Sequence, residues 1–163
     1  MDRAGYWSKR PTWDPRRKAM YVADILKAKG TEVITIGSDA SIELVAQRLR
    51  IERIGALVVS ETGATVDGII SERDLAHGLA EYGAEVLSRT AADLMTKAIV
   101  TCSPTDAIAQ VAKTMTDLRI RHMPVTQGMK LVGIISIGDV VKFRLDELQL
   151  EASVMRNYIG GGQ

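Results

Sequence analysis

Val66-Asp-Gly-Ile-Ile-Ser-Glu-Arg-Asp-Leu75 and Leu131-Val-Gly-Ile-Ile-Ser-Ile-Gly-Asp-Val140 are one stretch written twice, and their agreement decides the fold. Offset by 65 residues, Gly68, Ile69, Ile70, Ser71 and Asp74 match Gly133, Ile134, Ile135, Ser136 and Asp139. Upstream, at an offset of 66, Thr35, Ile42, Val45, Ala46, Arg53, Ile54 and Val59 match Thr101, Ile108, Val111, Ala112, Arg119, Ile120 and Val125. Farther back, Val-Ala-Asp-Ile-Leu around Asp24 resembles Ala-Ala-Asp-Leu-Met around Asp93. Three sets of matches in one order mark a tandem duplication.

Each copy has the same outline. A short leading helix is followed by an extended run, at 33–36 and at 99–102. A helix comes next, with Ile42, Val45, Ala46 and Leu49 in one copy and Ile108, Val111, Ala112 and Met115 in the other. That i, i+3, i+4, i+7 spacing lays one apolar stripe along one face. Ser38 or Asp39 is the expected N-cap of the first such helix. Ser103, followed by Pro104 in the first turn, is the expected cap of the second. Two strands joined by a turn follow, at 56–59 and 66–70 around Gly63, then at 123–125 and 131–135 around Gly128. A closing helix starts after Ser71 and again after Ser136. The fold class is therefore α/β (α+β), two β-α-β-β-α repeats. Units of about sixty residues bury too little surface alone, so the two sheets are expected to pack with pseudo-twofold symmetry. The expected divisions are an N-terminal arm at 1–20, repeats at 21–80 and 90–145, and a C-terminal helix with a glycine tail at 146–163.

Composition fits this reading. The chain has 163 residues, 46% hydrophobic and 25% charged, with a formal net charge of +1. That balance excludes nucleic-acid binding through bulk positive charge. No run approaches ~18 consecutive apolar residues, so no membrane-spanning helix is expected. The first twenty residues lack the apolar segment of a secretory signal, and the single cysteine, Cys102, fits a reducing compartment. A cytoplasmic location is expected. Aromatic residues make up only 4%, so the core must be aliphatic and a planar ligand finds few rings to stack on.

A β-α-β-β-α unit of this size, present twice and ending in Gly-Ile-Ile-Ser-x-x-Asp, resembles the cystathionine-β-synthase (CBS) domain, and the pair resembles a Bateman module. The resemblance runs from about Tyr21 to Leu145. Arg121-His122-Met123-Pro124-Val125 also looks like the family's strand opening. The resemblance implies a stand-alone regulatory module that binds adenosyl compounds (AMP, ADP, ATP, NAD(H) or S-adenosylmethionine) in clefts between the repeats. The ligand is implied as a sensed molecule, with no catalytic cofactor.

The residues support that chemistry independently. Asp74 and Asp139, on the first turn of a helix, could accept hydrogen bonds from both ribose hydroxyls. Ser71 and Ser136, three residues earlier, stand where a helix N-terminus gathers free N–H groups and a positive dipole, a setting for phosphate. Ser-x-x-Asp is equally an ordinary helix cap, and the two roles are compatible. Arg53 and Arg119 precede the second strand of each copy, Arg121 and His122 are added in the second, and Arg73 lies inside the first motif. Each arginine could grip a phosphate or stand as a solvated surface charge. Ile54, Ala56, Ile120, Met123 and Pro124 complete the implied contact set, and Thr31, Val33, Lys97 and Ile99 are named as backbone clasps assigned to neither cleft. Gly55-Ala56-Leu57-Val58 in the first copy replaces Arg121-His122-Met123-Pro124 in the second, so the two clefts should differ in affinity or ligand.

Beyond the repeats, Val141, Leu145, Leu148, Ala152, Met155 and Ile159 alternate in steps of four and three. That stripe either covers the protein's own sheet or joins a homodimer, and the second reading is preferred. The N-terminal arm carries Trp7, Trp13 and Arg16-Arg17-Lys18. It reads as an unstructured arm, or as a docking arm anchored by its tryptophans. Nucleic-acid binding through it is the weakest alternative. The chain lacks a G-x-x-x-x-G-K-[ST] loop, a G-x-S-x-G elbow and an H-E-x-x-H helix. An enzyme is therefore not expected. A ligand-free interaction scaffold is the alternative to the sensor, and the regulated partner is not named by any residue.

Overall fold

A computed structural model describes residues 20–160. The arm with Trp7, Trp13 and Arg16-Arg17-Lys18, and the side chains of Met155 and Ile159, lie outside the described residues.

The first copy comprises α1 (Val22–Lys29), β1 (Thr35–Ile36), α2 (Ile42–Glu52), β2 (Ala56–Val59), β3 (Gly68–Ser71) and α3 (Glu72–Tyr82). A 3₁₀ turn at Gly83–Ser88 leads to α4 (Ala91–Leu94), α5 (Ile108–Asp117), β4 (His122–Gln127), β5 (Lys130–Ser136) and the long α6 (Ile137–Gly160). In the first copy β1 runs parallel to β2, and β2 pairs antiparallel with β3, Ala56 opposite Ser71. In the second, β4 pairs antiparallel with β5, His122 opposite Ser136.

Both extended runs are shorter than their sequence suggests. The expected 33–36 contracts to Thr35–Ile36. The expected 99–102 contracts further, to one parallel bridge between Cys102 and Val125. That bridge is held by Cys102 N–H donating to the Pro124 carbonyl at 3.1 Å and Thr126 N–H donating to the Cys102 carbonyl at 2.8 Å. The following helices also start later than expected. Ser41, not Ser38 or Asp39, caps α2, its hydroxyl accepting from Leu44 N–H at 3.2 Å. Ala107 precedes α5, while Ser103 N–H donates to the Asp106 carboxylate in a separate turn. At the second helix the Ser103 and Asp106 side chains close a turn upstream, because a short side chain bonds to nearby backbone as readily as to a helix end. At the first, a backbone turn from Ala40 N–H to the Gly37 carbonyl intervenes, and Ser38 N–H donates to Glu61.

The leading helices are exchanged between the copies. Val22, Ile25 and Leu26 of α1 are buried with Cys102, Ile108, Val111, Met115, Met123, Val125, Ile135 and Val140, which is the core of the second copy. Ala91 of α4 is buried with Ile36, Val45, Leu49, Leu57, Val59 and Ile70, the core of the first. Backbone bonds match this. Ile108 N–H donates to the Met20 carbonyl at 3.0 Å, and Ile42 N–H donates to the Arg89 carbonyl at 3.1 Å. The two bonds are equivalent under the pseudo-twofold relation. Each core is thus completed by a helix from the opposite repeat, and the copies pack as expected.

Glycine appears where the exchanged elements approach most closely. A Cβ at Gly133 would sit 2.7 Å from a methyl carbon of Leu26, and one at the matching Gly68 would overlap the Met95 side chain. At the second hairpin, Gln127 pairs with Lys130, and Gly128, at φ +61°, takes the first corner of the two-residue loop.

Candidate functional site

Two clefts open between the copies, and each takes residues from both. The first, of about 320 Å³, is lined by Ile69, Ser71, Glu72, Arg73 and Asp74 from the first copy, and Thr96, Arg119, Ile120, Arg121 and His122 from the second. The other, of about 370 Å³, inverts the pattern. It has Ser136, Asp139, Ile134 and Ile135 from the second copy, and Lys29, Glu32, Ile34, Arg53, Ile54 and Ala56 from the first. Gly55 and His122 line both. These volumes lie at the small end of ligand pockets, about 300–1,000 Å³, large enough for a nucleoside.

Local backbone chemistry explains where the acidic residues stand. Ser71 ends β3 in an extended conformation (φ −127°, ψ 168°), and the chain turns into α3 at Glu72. Asp74 then folds back, its Oδ2 accepting from Ser71 N–H at 2.7 Å and from the Ser71 hydroxyl at 2.6 Å. Asp139 repeats this, its Oδ2 accepting from Ser136 N–H at 2.7 Å and the Ser136 hydroxyl at 2.9 Å, while its own N–H donates to the Ser136 hydroxyl at 3.1 Å. Among the described residues, every hydrogen bond to either carboxylate falls on Oδ2. Each thus serves the helix start with one oxygen and has the other for a ligand.

The arginines are placed by an equally exact duplication. Arg53 and Arg119 both sit just past a helix end in the left-handed region, at φ +53° and +54°. For a residue with a Cβ that conformation costs about 1–2 kcal/mol. Helix ends ordinarily put glycine there, and here both copies keep arginine, one at each cleft. Arg73 Nη1 donates to the Arg119 carbonyl at 3.2 Å, tying α3 to the loop of the other copy across the first cleft. Its counterpart Gly138 has no side chain with which to repeat that contact.

His122 is half-buried, and burial pushes its pKa below the ordinary value despite the opposing pull of Asp139 and Glu72. It enters the clefts as a neutral ring, so the basic pair read at Arg121-His122 reduces to one cation. Asp139 is different from Asp74 in its surroundings. Lys29 Nζ donates to its Oδ2 at 2.7 Å and to the Ile134 carbonyl at 3.0 Å. Burial opposes ionisation of Asp139, but Lys29 and the two Ser136 donors outweigh it and hold the carboxyl below its usual range.

Of the residues singled out in sequence, Ser71, Arg73, Asp74, Arg119, Ile120, Arg121 and His122 meet in the first cleft, and Arg53, Ile54, Ala56, His122, Ser136 and Asp139 in the second. Met123 and Pro124 do not line either, because both are buried in strand β4. Thr31, Val33, Lys97 and Ile99 do not line a cleft either. Their neighbours Glu32, Ile34 and Thr96 take those places, since alternation along an extended chain turns successive side chains to opposite sides. Lys29, Glu72 and Gly55 carried no mark in the sequence. Cys102 is buried and its thiol is pushed up to about 12 by burial, which leaves it without nucleophilic character.

The CBS domain model matches residues 22–81 and again 91–146. The chain belongs to the CBS domain family. Among CBS proteins of known structure, a CBS-domain-containing protein of Agrobacterium tumefaciens superposes with a TM-score of 0.74 at 43% identity, over 77% of this chain and 99% of that one. A CBS domain pair in complex with 5′-methylthioadenosine and S-adenosyl-L-methionine superposes with a TM-score of 0.71 at 27% identity, over 80% of this chain and 99% of the other. The mitochondrial CBS domain-containing protein CBSX3 of Arabidopsis thaliana is 31% identical over 86% of this chain and 72% of its own length. Among the described residues of this CBS pair, no helix is long and apolar enough to cross a membrane.

Proposed function

We propose that this CBS pair is a regulatory module that binds an adenine nucleotide (AMP, ADP, ATP or NAD(H), less favourably S-adenosylmethionine) between its repeats and passes the change to a partner or across its own dimer. One observation carries the reading. Each cleft sets a helix-start carboxylate with one uncommitted oxygen opposite arginine from the other copy. Ribose hydroxyls would donate to the carboxylate and phosphate would meet guanidinium groups, while aliphatic walls such as Ile69 and Ile120 hold the base. The complex of a related CBS pair with two adenosyl compounds supports the same ligand class. Because the ligand touches both copies, it favours whichever arrangement of the copies closes on it. A ligand indifferent to that arrangement would signal nothing.

The apolar stripe of α6 supports the dimer. Val141, Leu145 and Leu148 are 51%, 53% and 51% exposed, a face that self-association would cover. The buried thiol of Cys102 fits a reducing compartment, the cytoplasm in this reading. Thermal-shift titration with AMP, ATP, NADH and S-adenosylmethionine tests the ligand. A saturable rise in Tm with at least one of them is expected. A flat response to all four at millimolar concentration would instead favour a ligand-free scaffold.

A further inference from the structure

We propose that Lys29 is a built-in plug of the second cleft, making Asp74 the site that fills first and holding the protein to one tightly bound nucleotide per chain. The inference rests on the reading that the clefts bind adenosyl ligands, and adds which cleft does so and why.

The two carboxylates are matched in sequence and in backbone, so a difference in ligand affinity must come from what surrounds them. Asp74 Oδ2 accepts two hydrogen bonds, both from Ser71. Asp139 Oδ2 accepts those two and a third from the Lys29 ammonium at 2.7 Å. A diol is held best by a carboxylate whose charge is not already answered, because hydrogen bonds to an ionised acceptor are about twice as strong as neutral ones. Lys29 answers the charge of Asp139 and takes up part of its accepting capacity.

Nor is Lys29 a wandering surface side chain. A second of its protons is spent on the Ile134 carbonyl at 3.0 Å, and its side chain as a whole is 35% exposed. It stands on the last turn of α1, a helix anchored in the second core through Val22, Ile25 and Leu26. The exchange of leading helices therefore delivers Lys29 to Asp139. At the offset of 69 that matches Leu26 to Met95, the counterpart of Lys29 is Ala98, and among the described residues no ammonium bonds to Asp74, whose donors both come from Ser71. The phosphate side adds to the imbalance, since Arg73, Arg119 and Arg121 all line the first cleft, whereas the second sets Glu32 beside Lys29 and Arg53.

Equilibrium dialysis of the full chain with labelled ATP reads the number of sites directly. The wild-type protein is expected to hold one tight ATP per chain, lost in Asp74→Ala. In Lys29→Met, which keeps an unbranched side chain and removes the ammonium, a second site should appear at least tenfold tighter than any weak second site of the wild type, and it should vanish in Lys29→Met/Asp139→Ala. Lys29→Gln, which keeps a polar side chain and removes the charge, should reproduce the gain and so exclude a folding artefact. Two equal sites in the wild type, a tight site that persists in Asp74→Ala, or no new site in either Lys29 variant would overturn the plug while leaving nucleotide binding in place. Absence of binding by ATP, AMP, NADH and S-adenosylmethionine to wild type and variants alike would overturn the binding reading, and the plug with it.

Discussion

Asp74 and Asp139 stand at matched positions, each three residues after the serine that opens a helix, yet they look out on different surroundings. Asp74 faces three arginines and no lysine; Asp139 is bound to Lys29, with Glu32 nearby. The duplicated backbone is conservative. It keeps the serine cap, the left-handed arginine and the glycine at which the leading helix crosses. The walls are free to diverge, because each cleft borrows its wall from the opposite copy. One difference, Lys29 against Ala98, then changes one cleft and leaves the other untouched.

The cores are where the two copies should behave most alike, and where the largest effect lies. Ile70 and Ile135 occupy matched positions and are both fully buried. Truncating either to alanine should cost about 2–5 kcal/mol. Because α1 and α4 are exchanged, chemical denaturation of both variants should keep one cooperative transition. Two separated transitions would mean that the copies fold independently and that the exchange contributes little.

The clefts should differ more sharply. Asp74→Ala removes a charged acceptor, a loss of about 1.5–3 kcal/mol in binding. Calorimetric titration should therefore show nucleotide affinity falling roughly tenfold to a hundredfold. Equal losses in Asp74→Ala and Asp139→Ala would erase the distinction between the clefts.

A smaller effect of opposite sign is expected at the matched arginines. Glycine relieves the left-handed strain at φ +53° and +54°. Arg53→Gly and Arg119→Gly should each raise stability by about 1 kcal/mol, while Arg119→Gly weakens ATP binding. A fall in denaturation midpoint in both variants would show that these side chains brace the fold instead of serving the clefts.

The smallest effect belongs to His122, opposite Ala56 of the first copy. Burial holds its folded pKa below 6.5, with Asp139 and Glu72 opposing and Lys29 and Arg121 reinforcing the shift. The unfolded chain takes up this proton first, so stability is lost as pH falls below about 6.5. His122→Gln should flatten that part of the stability curve between pH 7 and 5. An unchanged slope would place the titration elsewhere.

Much of this was legible in the sequence, and its limits have physical causes. The glycine, paired isoleucines, serine and aspartate of each copy mark the turn from β3 to α3 and from β5 to α6 unambiguously, because each of those residue types has one structural task there. The helices start later than Ser38 and Ser103 suggest, since a turn precedes each of them, one closed by backbone between Gly37 and Ala40 and one by the Asp106 carboxylate. Met123 and Pro124 looked like cleft residues from the strand opening, but β4 is covered on both faces at this point, so both are buried. The neutrality of His122 depends on burial, which no spacing reveals. Lys29 was the most hidden: its meaning comes from a helix that crosses to the other copy, and nothing near it in sequence announces Asp139, 110 residues away.

The central claim, an adenine nucleotide seated first at Asp74 between the repeats, is tested most directly by titrating ATP into the ¹⁵N-labelled protein and following backbone amide shifts. The account predicts that Gly55, Ser71, Arg73 and Arg121 move at the lowest ATP concentrations and that Ser136 and Gly138 respond only later. Early shifts at Ser136 and Gly138 with Ser71 and Arg73 unmoved would contradict it.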